Sequence, residues 1–530
     1  MALFDQLDNV YSQDELGNRK YIPRNELERL ITRDTVEQEL RRTQKRGVRN
    51  LFRAKRSLRE NLAERVMESG QKLFATCVYL SQPWDVKLLL DANFTDDDLP
   101  VTKNAKSLKS SEKQFDWPAA WELPKLDVFI DKQWLFLAPI FSATGTHQSL
   151  DTMCPLPFLK VEEEQHGMNN VVFQAMIHES HQKGFAVETP TYKVALKEFK
   201  FKQDFDQEFE NLLKIRNLQH SKHITQKLDS FKRGSKNYII FPWADGGDLV
   251  NFWEKMDVEA RSPKLALWVL EQMLGLAQAL QALHDEMRDQ ENCRHGDLKP
   301  GNILHFTIEG YGILKIADFG ISKIHSLGTL QRRDPTTTRA TTPSYQAPEG
   351  DSSNTRSRKY DIWSLGCILL EFTVWTVQSN HNVIIFDAAR KPKTPGMQPW
   401  PHFYEKVGDK TVVHHEVNNV IKGLRGLTQC SQGTAFGHLL DIVECDLIKV
   451  EVQDRVEARV LCDRLGKILE RAREDNAYLF NVGPVMAEAF AALGIAANIF
   501  QSLELSFKAT QTIASTYRNT DIDGLSQHNA

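Results

Sequence analysis

What the chain lacks narrows it first. Its seven cysteines (Cys77, Cys154, Cys293, Cys367, Cys430, Cys445 and Cys462) are scattered over 530 residues and form no Cys-x-x-Cys pair. An odd, dispersed set speaks against a secreted disulfide framework and for reduced thiols, hence the cytoplasm or nucleus. There is no uninterrupted apolar run of membrane length. The most apolar late stretch, Val485 to Phe507, is broken by Glu488, Asn498, Gln501 and Glu504, and reads as a packed helix whose Gly494 and alanines suit close contact. Met1 to Tyr11 carries Asp5 and Asp8 and no apolar core, so no signal peptide is expected there. Neither charge sign is in excess: the formal net charge is −4, which gives no pointer to nucleic acid. Internal repeats and long low-complexity tracts are absent too. What is left is an ordinary globular balance, 41% hydrophobic and 26% charged. It is long enough for roughly two to four domains.

Composition and periodicity shift along the chain. In the first region, Asp34-Thr35-Val36-Glu37 has the form of a capping box opening a helix. Val48, Leu51, Phe52, Leu58, Leu62 and Val66 follow at helical spacing, with Ser69-Gly70 as the stop. Nine Lys or Arg and no acidic residue lie between Arg41 and Arg59. That run reads either as a solvated face of an amphipathic helix or as a docking surface for an acidic partner, nucleic acid or a membrane. Lys72 to Leu80 continues the helical core, and the Lys- and Ser-rich run Thr102 to Gln114 reads as an exposed loop. From about Phe158, β-rich runs appear at Val171-Val172-Phe173, Tyr192 to Phe199 and Tyr238 to Phe241. Helical patterns then dominate, at Pro263 to Leu283 and Asp361 to Val377. A sheet-rich part followed by a larger helical part is an α+β, two-lobed plan.

Chemistry concentrates in Arg294-His295-Gly296-Asp297-Leu298-Lys299-Pro300-Gly301-Asn302-Ile303-Leu304 and, sixteen residues past Asn302, in Asp318-Phe319-Gly320. Asp297 would orient and deprotonate a hydroxyl, and Lys299 would neutralise charge on a transferring phosphoryl group. Asn302 and Asp318 would hold Mg²⁺. Phosphoryl transfer needs positioned oxygen ligands and cations rather than a covalent nucleophile, which explains a set with no Ser or Cys.

With these motifs in this order, residues 157–470 resemble the eukaryotic protein kinase family. His295-x-Asp297-x-Lys299-x-x-Asn302 is similar to the catalytic loop, and Asp318-Phe319-Gly320 to the metal-binding turn. Thr342-Pro343-Ser344-Tyr345-Gln346-Ala347-Pro348-Glu349 resembles the end of the activation segment, and Asp361-Ile362-Trp363-Ser364-Leu365-Gly366 the start of the central helix of the large lobe. Arg455 stands where the family's late arginine pairs with Glu349. Val194-Ala195-Leu196-Lys197 resembles the third-strand lysine motif. Lys197 is thereby expected on the α- and β-phosphates, anchored by a glutamate of the next helix, Phe205 to Leu218. Glu208 shares a face with Leu212 and Ile215 and is the first choice, with Glu210 the alternative. Tyr238 to Leu249 resembles the hinge: Phe241 behind adenine, the backbone near Trp243 and Ala244 on its edge, and Asp248 on the ribose or, equally, at a helix N-cap.

The resemblance thus implies a bilobal kinase fold binding ATP and Mg²⁺. Gly167, Val172, Ala195, Lys197, Phe241, Trp243, Ala244, Asp248, Asn302 and Asp318 would be at the nucleotide. Lys299-Pro300 and Thr342 point to the serine/threonine type and a protein substrate. Residues 1–156 would be a helical regulatory or docking region, and residues 471–530 a helical tail ending in disorder. An Arg-His-Gly-Asp-Leu-Lys-Pro loop behind a helical N-terminal region also resembles kinase-like families expanded in filamentous fungi.

Three positions depart from the pattern. Gln165-His166-Gly167-Met168-Asn169-Asn170-Val171-Val172 keeps only the middle glycine of Gly-x-Gly-x-x-Gly-x-Val, with Glu162-Glu163-Glu164 just before it. Side chains at the other two positions would crowd a loop that must close over phosphates, so weakened ATP affinity is expected. Gly296 replaces the arginine that in many kinases receives the activation-segment phosphate. Activity is therefore expected not to need that phosphate, although Thr336, Thr337, Thr338, Thr341 and Ser344 are available acceptors. Thr341 stands where the family usually has glycine, from which nothing follows.

Overall fold

The computed structural model describes residues 2–43, 52–104, 107–110, 113–116, 123–143, 146–166, 169–185, 192–216, 218, 221–258, 261–286, 291–307, 309–320, 323–326, 343–352, 357–392 and 400–479. The chain divides into two compact units. One comprises residues 1–217, 225–245 and 318–320, the other residues 218–224, 246–317 and 321–530.

The first unit begins with helices. α1 (Arg33–Thr43), α2 (Phe52–Ser69) and α3 (Gln71–Tyr79) bury Val36, Leu40, Leu62, Val66, Leu73 and Phe74 in one core. The cap of α1 differs from the sequence expectation. The Thr32 amide donates to Thr35 Oγ1 and the Thr35 amide to Thr32 Oγ1, while Asp34 lies in the first turn. Threonine at Thr32 supplies a shorter, stiffer acceptor than the acid two residues on. Gly70 separates α2 from α3, and the first amides of α3, Lys72 and Leu73, donate to the Asp96 carboxylate at 2.9 Å each. Burial pushes that carboxyl up to about 6 despite these donors. Leu58 is exposed, and Val48 and Leu51 lie outside the described residues.

The run read as an open loop instead contains three short antiparallel strands, Thr102–Asn104, Ser107–Lys109 and Gln114–Asp116. Leu108, fully buried and paired in register with Lys103 and Phe115, gives these polar segments one apolar anchor. One large hydrophobe, Leu108, in the thirteen residues Thr102 to Gln114 is too sparse a pattern for periodicity to detect.

The same unit holds a six-stranded sheet. β1 (Gln148–Leu150), β2 (Phe158–His166), β3 (Asn170–Ile177), β4 (Lys193–Phe199), β5 (Asp229–Arg233) and β6 (Lys236–Pro242) stand in the order β1-β5-β6-β4-β3-β2. Only the β1–β5 pair is parallel. Alternation along β4 sends Val194 and Leu196 into a core with Phe158, Ala175, Phe231 and Ile240, leaving Ala195 and Lys197 on the other face. Val172 is paired with Lys197, and Phe241 with Ala195. Directly opposed residues of an antiparallel pair share a face, so these four stand together. α4 (Lys202–Ile215) follows β4. An N-terminal hairpin, Ser12–Asp14 with Arg19–Tyr21, is tied to β2 by the Glu15 amide, which donates to the Phe158 carbonyl at 3.0 Å; the buried Asp14 carboxylate accepts from the Leu156 amide at 2.9 Å, just ahead of β2, and from the Gly17 amide at 2.8 Å.

The second unit is mainly helical. α5 (Leu249–Lys255) is capped by Asp248, and α6 (Pro263–Asp285) by Ser262, with proline at its first position. α7 (Lys359–Val377) is buried on every side from Tyr360 to Thr376 and is the axis of the unit. α8 (Ala458–Glu474) packs on α6. A two-stranded ribbon, β7 (Ile303–Phe306) with β8 (Ile313–Ile316), follows the loop that carries Asp297. The tail beyond Leu479, including Val485 to Phe507, lies outside the described residues. No helix among the described residues is long and apolar enough to cross a membrane.

Candidate active site

In the first unit, Lys197 is the centre of a charge cluster. Its Nζ lies 2.8 and 2.7 Å from the two Glu208 oxygens and 3.0 Å from Asp318 Oδ1. β4 supplies the lysine because its odd positions face away from the core, and α4 supplies Glu208 one helical turn before Leu212. Burial disfavours the ammonium, but the Asp318 and Glu208 carboxylates outweigh it and raise the pKa of Lys197. Glu208 also moves up, to about 7, because burial and the neighbouring Asp318 together exceed the pull of Lys197.

Asp318 holds φ +64°, a conformation L-residues rarely adopt. Three contacts secure the turn it opens. Lys197 holds the Asp318 carboxylate, Asn211 Nδ2 donates to the Phe319 carbonyl at 2.8 Å, and Phe319 is buried. A side chain at Gly320 would begin 3.1 Å from Glu208 Oε2, so glycine lets the turn lie against the cluster. Asn211 was missed from sequence. Its signal was position i+3 from Glu208, on the same face of α4.

In the second unit, the loop from Arg294 to Asn302 is held from behind by Asp361 of α7. Asp361 accepts from the His295 and Gly296 amides at 2.8 Å each, and His284 Nε2 lies 3.0 Å from it. Burial alone would raise this carboxyl; the His284 contact and the amide donors outweigh it and hold the pKa below its ordinary value. Gly296 takes φ +84°, where glycine meets no steric cost. His295 is fully buried, with Nε2 3.0 Å from the Ala317 carbonyl. The Asp297 carboxylate is thereby presented half-buried, with Asn302 Nδ2 at 3.1 Å and Lys299 Nζ at 3.0 Å from Oδ2. Asn302 Nδ2 also donates to the Asp297 carbonyl at 2.8 Å. This spends the amide nitrogen and leaves the amide oxygen outside these bonds.

Other expected residues are placed less tellingly. Trp243 and Ala244 are half-buried at the end of β6, and Asp248 accepts from the Asn251 amide at 2.8 Å as the cap of α5. Gly246 is confined by His305, since a Cβ there would come within 1.8 Å of the ring. Gly167 and the threonines from Thr336 to Thr342 lie outside the described residues.

Downstream, Arg455 donates to both Glu349 oxygens, at 2.7 and 2.8 Å. A second buried network went unread in the sequence. Tyr345 donates to Glu371 Oε2 at 2.7 Å, and Glu371 Oε1 accepts from Arg390 at 2.8 Å. The Arg390 guanidinium lies between the Phe386 and Phe403 rings. Ser364 donates to the Tyr345 carbonyl at 2.8 Å. The segment ending in Ala347-Pro348-Glu349 is thus fixed at both ends to the helical unit.

Comparison with known proteins agrees with this geometry. The family model described as protein kinase domain matches residues 167–424. The chain is 35% identical to the serine/threonine-protein kinase nekl-2 of Caenorhabditis elegans over 148 residues, 27% of this chain and 38% of that protein. It is 34% identical to the serine/threonine-protein kinase Nek2 of Homo sapiens over 134 residues, 25% of this chain and 28% of that protein. To the serine/threonine-protein kinase ATG1c of Arabidopsis thaliana it is 32% identical over 157 residues, 30% of this chain and 19% of that protein. The matches span less than two-fifths of each of these relatives. With a sheet-rich part, a helical part and the motifs in family order, residues 167–424 carry a protein kinase domain, similar to those of serine/threonine-protein kinases.

Proposed function

We propose that this chain is a catalytically competent serine/threonine kinase that transfers the γ-phosphoryl group of Mg-ATP to a protein hydroxyl, without needing a phosphate on its own activation segment. The observation that carries this reading is the assembled Lys197–Glu208–Asp318 cluster, in which a buried cation is already shared between the two carboxylates.

Mg²⁺ takes oxygen ligands in near-octahedral geometry. In the first unit Asp318 would offer a carboxylate; in the second, Asn302 would offer the amide oxygen left by its bonds to Asp297. Bound Mg²⁺ would supply charge neutralisation on the phosphate oxygens. The chain's own groups do the rest. Lys197 holds the α- and β-phosphates, and Glu208 keeps its ammonium in place. Asp297, oriented by Asn302, accepts the proton of the attacking hydroxyl. Lys299 balances charge on the transferred group. With Gly296 in place of arginine and the loop fixed by Asp361, Asp297 is positioned without a phosphate receptor.

A second reading is a binding protein with the same fold and little catalysis. It is favoured by the single glycine, Gly167, of the phosphate loop and the three glutamates before it. Purified full-length wild type and Asp297→Asn, incubated with Mg-ATP and a generic protein substrate, separate the two. Phosphorylation by the wild type that disappears in the variant supports the enzyme. Equal signals, or none in either, support the binding protein.

A further inference from the structure

In the first unit, the chain just ahead of β2 runs along α4. The His147 ring packs against two α4 phenylalanines, 5.1 Å from Phe205 and 5.6 Å from Phe209 between ring centres. These two stack on each other at 5.4 Å, and Phe205 meets Phe199 of β4 edge-on at 5.5 Å. Glu208 lies between the two phenylalanines in sequence. On a helix, Phe205 and Phe209 form one stripe, and Glu208 with Asn211 the adjacent one. A ring held against the first stripe therefore sets the rotation of the second, which faces Lys197 and Phe319.

The ring is itself fixed. His147 Nδ1 lies 3.1 Å from Ser230 Oγ on β5, and the next residue, Gln148, opens the strand paired in parallel with β5. The far end of α4 is tied to the same stretch of chain, because Arg216 donates to the Ala143 carbonyl at 3.0 Å. That stretch is anchored in turn by the Ser142 amide on Asp229 Oδ2 at 2.8 Å and by Phe141, which packs on Phe158 and Phe231. Residues 139–143 and 146–150 thus touch α4 near both ends and the sheet between them.

We propose that this segment is a built-in brace, and that His147 is a positioning residue which holds α4 at the rotation and height required for the Lys197–Glu208 pair. The proposal rests on the kinase reading above for its effect on rate, but not for its effect on α4. It gives the N-terminal region a direct role in catalysis, because the family match begins at residue 167, beyond the brace.

The test uses the full chain as wild type, His147→Ala and His147→Phe. Amide hydrogen exchange is followed in α4 and, as an internal reference, in α7. Steady-state kinetics with Mg-ATP run in parallel. The brace predicts that His147→Ala loses protection about tenfold in α4 while α7 is unchanged. It predicts that kcat falls about tenfold with KM for ATP changed less than threefold, and that the phenylalanine variant recovers most of both. Unchanged α4 protection in His147→Ala overturns the brace whatever the activity. A loss spread equally over α4 and α7 overturns it too, since His147 would then be only a stability residue. If the wild type has no activity and α4 still loosens selectively, the brace stands and the kinase reading falls.

Discussion

Replacing Glu349 by glutamine tests how the end of the activation segment is fastened. The Arg455 side chain is fully buried, and its guanidinium has five contacts with acceptors. Two go to the Glu349 oxygens; the others go to the carbonyls of Lys359 at 3.1 Å, Lys449 at 2.7 Å and Val450 at 3.1 Å. Glutamine turns one carboxylate oxygen into an NH₂ that faces the guanidinium and leaves the cation buried without a counter-charge. Removing one partner of a buried pair costs about 3–5 kcal/mol. Three retained carbonyl contacts place this case at the lower end, about 3 kcal/mol. At about 2 °C per kcal/mol for a large domain, Tm drops by about 6 °C. Scanning calorimetry of the full chain reads this directly. A Tm within about 1 °C of wild type for Glu349→Gln would refute the reasoning and show that the carbonyls alone hold Arg455.

Three further outcomes are expected. Gly246→Ala drives a methyl into the His305 ring and displaces it from the Tyr311 carbonyl, so urea unfolding should show a loss of at least about 2 kcal/mol; a neutral result would mean the backbone at Gly246 moves freely. Phosphatase treatment of the purified kinase should leave its rate within about twofold, since Gly296 offers no phosphate receptor, and a loss of tenfold or more would contradict that. The kcat/KM profile should have an acid limb near Glu208's raised pKa, about 7, because its protonated carboxyl releases Lys197. The stability contribution of Glu208 runs the other way. Its folded pKa lies above the unfolded value, so the folded state binds the proton more tightly, and stability from this group falls as pH rises from about 4.5 to about 7. A profile flat from about pH 6 to about pH 8 would place Glu208 fully ionised throughout.

Much of the site was legible in the sequence because phosphoryl transfer demands given residue types at short, fixed spacings. Asp297, Lys299 and Asn302 fall within six residues and meet within one short loop. The choice between Glu208 and Glu210 turned on helical periodicity: two residues advance the helix by more than half a turn, and the structure sets Glu208 against Lys197. What escaped was long-range or sparse. The clamp on the catalytic loop joins His284 to Asp361 across 77 positions, and no spacing rule reaches that far. Arg390 reads as a surface residue in sequence, yet it is enclosed by Glu371, Phe386 and Phe403, which come together only in the folded unit. The strands between Thr102 and Asp116 rest on Leu108, and α1 is capped by Thr32 rather than Asp34 because backbone direction, unseen in sequence, decides which side chain meets the free amides.

Gly296 takes on a different meaning once its backbone is seen. From sequence it marks a missing phosphate receptor. In the structure its amide is one of two that Asp361 accepts, and its φ of +84° is one that glycine adopts without cost. A residue with a Cβ would pay about 1–2 kcal/mol there. The loop is therefore shaped by α7 from behind, through backbone amides, and the side chain at position 296 contributes nothing to where Asp297 points. Asp361 thus shapes the loop through backbone amides, which requires no side chain at position 296. Loss of the sensor is then compatible with a well-formed catalytic loop. What remains to be ordered is α4 with Glu208, which lies in the other unit, and there the N-terminal segment around His147 takes up the task.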